Sequence, residues 1–310
     1  MPHVFSISRR HALGAIGAAG LTAVLQGPAV AAQPKSIITR PIPSTGEVLP
    51  VVGLGSWITF NVGDDEVARA SCAEVMRNFF LAGGRLIDSS PMYGSSQEVI
   101  GEGLKKLGKT PAVFSADKVW TTWGAKGPAQ IATSRQRWGV QGFDLLEVHN
   151  LLSWQEHLPT LLAMKAAGQL RYVGITTSHG RRHGELERIM RTHPVDFVQV
   201  TYNVVDREVE DRILPLAQER GIAVIINRPF QQGALIRRVE GFPLPAWAAE
   251  IDCAGWAQFL LKFIVSHPAV TCAIPATTNA EHVRENMGAA YGRLPDNAMR
   301  QRIATYVGQV

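Results

Sequence analysis

The sequence predicts an α/β fold, a (β/α)8 barrel preceded by an N-terminal β-hairpin. About eight short apolar runs alternate with amphipathic stretches after residue 51, which is the order of β/α units in such a barrel. Most of these runs are continuously apolar, as expected for parallel strands buried on both faces. The 310 residues would also allow two domains of about 150 residues each, but a single barrel of about 250 residues fits the length equally well.

The bulk composition describes an ordinary globular protein. With 46% hydrophobic and only 18% charged residues, the chain has enough apolar surface to bury a large core. This excludes collagen, intrinsic disorder and a minimal disulfide scaffold. The formal net charge of +5 is small, and no run of Lys and Arg is interleaved with aromatics, so we expect no nucleic-acid partner.

The first 31 residues predict an export signal of the twin-arginine type. Arg9 and Arg10 precede an apolar stretch rich in Ala and Gly, and Ala29-Val30-Ala31 offers a small-residue cleavage site. We therefore expect residues 1–31 to be a signal peptide recognised by the Tat export machinery. Residues 32–310 would form the barrel domain, exported already folded to the periplasm.

Two other interpretations of this leader are weaker. A buried N-terminal helix is disfavoured by Gly14, Gly17 and Gly20. A membrane span is disfavoured because Gln26 interrupts the stretch and no second run of about 20 apolar residues follows. We expect no stable span after signal removal, and the three cysteines do not suggest a disulfide framework.

The elements follow in order. Residues 37–42 and 47–51 flank Pro43-Ser44-Thr45-Gly46 and predict the hairpin. Strands are expected at 51–54, 86–87, 113–116, 145–148, 172–175, 197–200, 223–226 and 271–274. Helices are expected at 65–81, 97–107, 128–138, 155–167, 183–190, 208–220, 254–266 and 280–290. Gly83, Gly168 and Gly221 stand just past helical stretches, where a left-handed cap favours glycine. The segment 228–252 is expected to be a loop over the barrel mouth.

Four polar residues fall at or after consecutive strand ends, where a barrel places its active site. Asp88, Tyr93, Lys118 and His149 supply a carboxylate, a phenol, an ammonium and an imidazole. A phenol of pKa about 10 is a poor proton donor at neutral pH, and a neighbouring Lys118 would lower that pKa. Asp88 could hold the lysine as an ion pair, and His149 could donate a hydrogen bond to a substrate carbonyl. Protonating a developing alkoxide requires hydride delivery to carbon, which implies a nicotinamide cofactor.

These residues lie in motifs that resemble the aldo-keto reductase family. The motifs are Gly53-Leu54-Gly55-Ser56-Trp57, Leu86-Ile87-Asp88-Ser89-Ser90, Met92-Tyr93-Gly94, Lys118-Val119-Trp120, Tyr172-Val173-Gly174-Ile175 and Ile274-Pro275-Ala276. They follow the family order and cover nearly all of the chain after the leader. The resemblance implies a (β/α)8 barrel that transfers hydride between NAD(P)H and an aldehyde or ketone. Tyr93 would be the general acid/base, completed by Asp88, Lys118 and His149.

The resemblance also implies cofactor and substrate contacts. Gln199 would bind the nicotinamide carboxamide together with Thr176 or Thr177, and Glu285 and Asn286 would face the adenine. The substrate pocket would be lined by Trp57, Trp120 and Asn150. Gln199 also interrupts an apolar strand, so it must find a partner in the barrel or at a ligand.

The chain departs from the family pattern mainly at the cofactor. Asn227 stands where an aromatic residue is more frequent, and Arg228 is an unusual neighbour that could meet the pyrophosphate. The phosphate pocket would include Ala276, Thr277 and His282, where the family often has a lysine near Ala276 and an arginine near His282. Arg284 could take over that charge, so we expect NADP(H) rather than NAD(H).

Two alternatives remain. A reductase-like barrel could act as a cofactor-binding or redox-sensing subunit with little turnover. A metal-dependent hydrolase would need a cluster of ligands at strand ends, and His149 is the strand-end histidine, so we expect no metal. Six other histidines fall on predicted helices and loops and are expected at the surface (His157, His179, His183, His193, His267, His282). Oligomeric state and the particular carbonyl substrate are not predicted.

Overall fold

A computed structural model describes residues 36–108 and 113–310. The predicted signal peptide of residues 1–31 lies outside the described residues. The predicted hairpin is present: β1 (Thr39–Pro41) pairs antiparallel with β2 (Val48–Pro50). Its turn is closed by hydrogen bonds from the Gly46 and Thr45 amides to the Ile42 carbonyl.

The predicted barrel is confirmed. Its eight parallel strands are β3 (Leu54–Gly55), β4 (Leu86–Asp88), β5 (Phe114–Val119), β6 (Leu145–Val148), β7 (Tyr172–Thr176), β8 (Phe197–Thr201), β9 (Ala223–Asn227) and β10 (Cys272–Ala273). Each strand pairs with the next in sequence. Parallel bridges from Val52 to Ala273 and from Gly55 to Ala276 join the first strand to the last.

Ten α-helices occur in the described ranges, and most cover the outside of the barrel. They are α1 (Glu66–Leu81), α2 (Ser96–Leu107), α3 (Gly127–Trp138), α4 (Trp154–Ala166), α5 (His183–Thr192), α6 (Ile213–Arg220), α7 (Ala234–Val239), α8 (Trp256–Val265), α9 (Ala280–Gly288) and α10 (Asn297–Gln309). None of these helices is both long and apolar enough to cross a membrane. As predicted, Gly83, Gly168 and Gly221 have positive φ angles at helix ends.

Some boundaries differ from the sequence prediction. The stretch 208–220 splits into a short 3-10 helix (Glu208–Glu210) and α6, because Arg212 leaves the helical region with φ −137°. The segment 228–252 is not entirely a loop, since it contains α7 and a 3-10 helix (Ala246–Ile251). The helix α10 was not predicted. Strand β5 extends three residues further than predicted, so that Lys118 lies within it.

The hairpin closes the N-terminal end of the barrel. Ile42 and Leu49 are fully buried in one apolar cluster with the first residues of several strands, including Phe114, Tyr172 and Phe197. The Tyr172 hydroxyl also donates a hydrogen bond of 2.9 Å to Glu47 on the hairpin. Because this end is filled, the open end is the one where the strands have their carboxyl termini.

Candidate active site

The strand ends bring six polar side chains into the upper part of the barrel. Strands alternate inward and outward side chains, so the residues that share an inward face are spaced by two. This places the following residues together at the C-terminal end: Asp88, Lys118, His149, Thr176, Gln199 and Asn227. All are buried except Asn227, which is half-buried.

Lys118 and Asp88 form a buried ion pair at the base of this group. The Lys118 ammonium donates to Asp88 Oδ1 at 2.5 Å and to the Ser89 carbonyl at 2.8 Å. Burial lowers the pKa of Lys118, but Asp88 and the other acidic neighbours raise it by more, so the pKa lies above its usual value. The lysine is therefore a fixed positive charge.

Tyr93 follows β4 in a loop and lies directly above this charge. The Lys118 Nζ is 5.5 Å from the centre of the Tyr93 ring, and the His149 ring meets it edge-on at 5.7 Å. Lys118 lowers the pKa of the phenol as expected, but burial raises it by more, and Asp88 raises it further. The expectation of a net lowered pKa is therefore wrong, because desolvation exceeds the effect of the lysine.

His149 is held as a neutral imidazole. Its Nδ1 lies 2.8 Å from Ser90 Oγ, and the Ser90 oxygen also accepts from the Met92 amide at 3.2 Å. Burial and, secondarily, Lys118 lower the pKa of His149 to about 3. With Nδ1 engaged, Nε2 is the ring nitrogen left for a ligand. Ser90 was missed by the sequence analysis, since a serine in a loop carries no distinctive signal.

A cavity of about 450 Å³ opens over these residues. Many of the predicted site residues line it: Trp57, Asp88, Tyr93, His149, Asn150, Thr176, Gln199, Asn227, Arg228 and Ala276. His179 and Arg181 line it too. His179 is exposed, as expected, although it lies at the mouth of this cavity. The expectation that His157 lies at the surface is wrong, because its ring is buried and its Nε2 is bonded to the Thr121 carbonyl at 2.7 Å.

Amide and hydroxyl groups form one wall of this first cavity. The Gln199 amide nitrogen donates to Asp88 Oδ1 at 2.9 Å, which satisfies the expectation that this polar strand residue has a partner. Asn227 Nδ2 donates to the Thr177 carbonyl at 3.0 Å, and its Oδ1 accepts from Thr201. The Thr177 hydroxyl is buried without a hydrogen-bond partner, but Thr177 does not line this cavity.

Arg228 brings unsatisfied donors to the same cavity. Its Nε and Nη1 are buried and make no hydrogen bond, and its backbone is in the left-handed region with φ 51°. Burial lowers the pKa of the guanidinium, and Asp206 raises it by less. Buried unpaired N–H groups are costly, and an anionic ligand would remove that cost. The site therefore fits a dinucleotide pyrophosphate here.

A second cavity of about 430 Å³ adjoins the first, since Phe230, Gly233 and Ala276 line both. It gathers the five residues expected at the adenosine end, namely Ala276, Thr277, His282, Glu285 and Asn286. Arg237 and Glu240, which the sequence analysis did not single out, line it as well. The two cavities together form a groove whose walls carry residues expected at both ends of a dinucleotide.

Three of the proposed contacts are placed elsewhere, and one of them is Thr177, which lines neither cavity. Trp120 is 41% exposed and does not line either cavity. Arg284 forms an ion pair with Glu281 on the surface of α9 and is likewise absent from the cavity walls. In the described part of the chain, no group of three or more His, Cys, Asp or Glu side chains is arranged to hold a metal ion.

Comparison with known proteins agrees with this geometry. The model of the aldo/keto reductase family matches residues 51–304. An NADH-specific methylglyoxal reductase of Escherichia coli is 27% identical, over 83% of this chain and 94% of that protein. A second E. coli methylglyoxal reductase is 29% identical, over 78% and 86%.

Solved structures show the same fold. An aldo/keto reductase of Klebsiella pneumoniae, in complex with NADP and acetate, superposes with a TM-score of 0.70 over 84% of this chain and 93% of that one, at 22% identity. The holo form of a Bacillus halodurans aldo-keto reductase gives 0.72 over 87% and 96%, at 19% identity.

Proposed function

The chain belongs to the aldo/keto reductase family, and from this premise we propose that Tyr93 is the general acid with which it reduces an aldehyde or ketone at the expense of NAD(P)H. One observation carries the proposal: the buried pair of Lys118 and Asp88 lies under the Tyr93 ring, with His149 at its edge, at the floor of the first cavity. Tyr93 and His149 therefore present a proton donor and a hydrogen-bond donor to the same cavity.

The proposed mechanism assigns each side chain a task. When bound, the reduced nicotinamide supplies hydride to the carbonyl carbon. Tyr93 donates its phenolic proton to the carbonyl oxygen, and Lys118 stabilises the phenolate that remains. The phenol is protonated at neutral pH, since its ordinary pKa is about 10 and burial raises it further. With Ser90 donating to Nδ1, His149 Nε2–H donates to the same carbonyl oxygen and orients the substrate.

The groove would hold the cofactor along its length. Gln199 and Thr176 would bind the carboxamide, and Arg228 the pyrophosphate. The adenosine end would lie in the second cavity. Trp57 and Asn150 would contact the substrate.

The test of this function is the rate of NADPH oxidation with methylglyoxal and a panel of aliphatic and aromatic aldehydes. Tyr93→Phe keeps the ring and removes the proton, so we expect the rate to fall by at least about 100-fold. NADPH affinity should not change, which controls for folding. Equal rates in the wild type and in Tyr93→Phe would refute the assignment of Tyr93 as the general acid. Binding of NADPH by the wild type with no turnover of any aldehyde would favour the alternative of a sensing subunit.

We further propose that NADP(H) is preferred over NAD(H), because Arg237 and His282 in the second cavity could meet a 2′-phosphate. Ala276→Lys adds a cation at this wall. It should improve NADPH affinity about tenfold or more relative to NADH, the gain expected for one charge-assisted hydrogen bond. Ala276→Met is the matched control of similar length without charge. An unchanged ratio of the two dissociation constants in the lysine variant would refute the placement of the phosphate.

Export through the Tat machinery to the periplasm remains part of the proposal, resting on Arg9 and Arg10 in the sequence. Since nicotinamide cofactors are scarce outside the cytoplasm, the cofactor would be loaded before transport and held tightly. Replacing both arginines by lysine should retain the protein in the cytoplasm, as measured by fractionation. A periplasmic wild-type protein that contains no nucleotide would contradict the loading step.

A further inference from the structure

One buried acid in the barrel has no task in the mechanism above. Glu147 lies on β6, two residues before His149, and its side chain is fully buried. It shares the inward face of the strand with Leu145 and His149. Its neighbours across the sheet are Lys118 on β5 and Gly174 on β7. The carboxyl group therefore lies in the same layer as the Lys118 ammonium.

The neighbouring strand leaves room for this side chain. A Cβ atom at Gly174 would lie 2.9 Å from Glu147 Cγ and 3.1 Å from its Oε1, and also 3.1 Å from Phe197 Cβ. These distances are shorter than real contacts of this kind, so a side chain at position 174 would displace the carboxyl group. Gly174 and Glu147 thus form a complementary pair inside the barrel.

Glu147 helps to fix the direction of the Gln199 amide. Gln199 Nε2 donates to Glu147 Oε2 at 3.1 Å and to Asp88 Oδ1 at 2.9 Å. Both N–H groups of the amide are therefore used on the floor of the site. The oxygen, Oε1, faces Asn227 Nδ2 at 3.4 Å, on the side where the proposed carboxamide site lies. With Asp88 alone, one of the two N–H groups would lose its acceptor.

The charge balance disfavours the ionised form of Glu147. Lys118 Nζ is 3.9 Å from Glu147 Oε2, but it donates its hydrogen bonds to Asp88 and to the Ser89 carbonyl. Glu147 Oε1 is buried with no hydrogen-bond partner. The remaining charged neighbour on β5 is another acid, Asp117. One ammonium cannot compensate for several carboxylates away from water, and burial raises the pKa of Glu147 well above its usual value, although Lys118 lowers it.

We propose that Glu147 is a positioning residue of the active site: seated against Gly174, it holds the Gln199 amide oxygen toward the cofactor carboxamide. Its ionised form would place a second negative charge beside Lys118. That charge opposes the formation of the Tyr93 phenolate and slows reduction. The inference rests on the proposed function, because it concerns the cofactor end of the same site.

The experiment compares Glu147→Leu and Glu147→Gln with the wild type. We measure the NADPH dissociation constant by fluorescence titration and the rate of aldehyde reduction between pH 6 and 10. Glu147→Leu removes the acceptor of one buried amide N–H, so the dissociation constant should rise about tenfold. Glu147→Gln keeps an acceptor and cannot ionise, so its affinity should stay within about threefold. The rate of aldehyde reduction by Glu147→Gln should also begin to fall at a higher pH than the wild-type rate.

Asp117→Asn is the matched control. It removes a buried acid from β5 beside Lys118, but its side chain bonds to Gln97 and not to Gln199. It should leave the NADPH dissociation constant unchanged. A purely structural role for Glu147 would lower the melting temperature of its variants without changing the pH dependence of the rate.

The outcomes separate cleanly. Wild-type affinity in Glu147→Leu would overturn the positioning role, and so would a loss of affinity in Glu147→Gln as large as in Glu147→Leu. If Glu147→Leu does not fold, an alkaline limb in Glu147→Gln identical to that of the wild type would overturn the proposal. If the wild type reduces no aldehyde, the proposed function fails, while the NADPH titrations still decide whether Glu147 positions Gln199.

Discussion

Burial and neighbouring charges both shift the pKa values of single residues in this site. At several residues, burial has the larger effect and sets the direction of the shift. Tyr93 keeps its proton because desolvation raises the phenol pKa by more than Lys118 lowers it. His149 stays neutral for the same reason, with Lys118 acting in the same direction. On the proposed mechanism, a protonated phenol and a neutral imidazole are the states required for reduction.

Asp117 gives a prediction at this scale. It is fully buried, and burial raises its pKa from 3.8 to about 7, although the Lys118 amide and Gln97 donate to it. Between about pH 4 and 7 the folded protein therefore binds a proton that the unfolded chain has lost. This stabilisation is complete below pH 4 and disappears as the pH rises through 7.

Asp117→Asn should remove that part of the pH dependence. The wild-type free energy of unfolding should fall, relative to the variant, by roughly 3–4 kcal/mol at most between pH 4 and pH 8. Urea unfolding at a series of pH values measures the difference between the two curves. Parallel curves over this range would show that Asp117 ionises at its ordinary pKa in the folded protein.

At the scale of elements, the hairpin of β1 and β2 closes the end of the barrel opposite the site. Leu49 on β2 is fully buried in the cluster that fills this end, whereas its neighbour Val48 is 49% exposed. The hairpin should therefore contribute to stability without contacting either cavity.

Leu49→Ala leaves a void in this cluster and should lower the free energy of unfolding by about 2–5 kcal/mol. Val48→Ala is the matched control and should cost less than about 0.5 kcal/mol. Denaturant unfolding measures both. The specific activity and NADPH affinity of the folded Leu49→Ala protein should equal those of the wild type. A large loss of affinity would show that the hairpin end is coupled to the site.

The loops over the open end were less predictable than the strands. The segment 228–252 has Gly233, Gly241 and three prolines, which indicate breaks, yet α7 forms between the glycines because Leu235 and Val239 are buried beneath it. A helix of six residues is too short to show a reliable period in the sequence. Its packing against the barrel, rather than its local pattern, determines that it forms.

For the whole molecule, a ligand that binds only the folded state must raise its stability. At 100 times its dissociation constant, NADPH should add about 2.7 kcal/mol to the free energy of unfolding. Arg228→Gln removes the unpartnered donors of the first cavity and should weaken binding by about 10- to 100-fold, so that the stabilisation at the same concentration falls accordingly.

Arg188→Gln is the control for this experiment, because Arg188 is 63% exposed on α5 and lines neither cavity. Thermal unfolding with and without NADPH measures the stabilisation of the wild type, Arg228→Gln and Arg188→Gln. The same stabilisation in Arg228→Gln and in the wild type would mean that the pyrophosphate does not bind at Arg228.

The sequence by itself determined the barrel and the hairpin, and it indicated the proposed proton donor Tyr93 with the three residues around it, Asp88, Lys118 and His149. Apolar runs, amphipathic stretches and polar strand ends are local patterns of the sequence. Because consecutive strands are neighbours in the barrel, the order of these patterns along the chain predicts where the elements lie. The sequence did not indicate Glu147, Ser90 or Arg237, because their contacts are with residues far along the chain. Glu147 lies against a glycine on the next strand, Ser90 lies against an imidazole nitrogen, and Arg237 lines the second cavity. The net direction of the Tyr93 pKa was also decided only in three dimensions, because desolvation depends on everything that surrounds a group rather than on the residues adjacent to it in sequence.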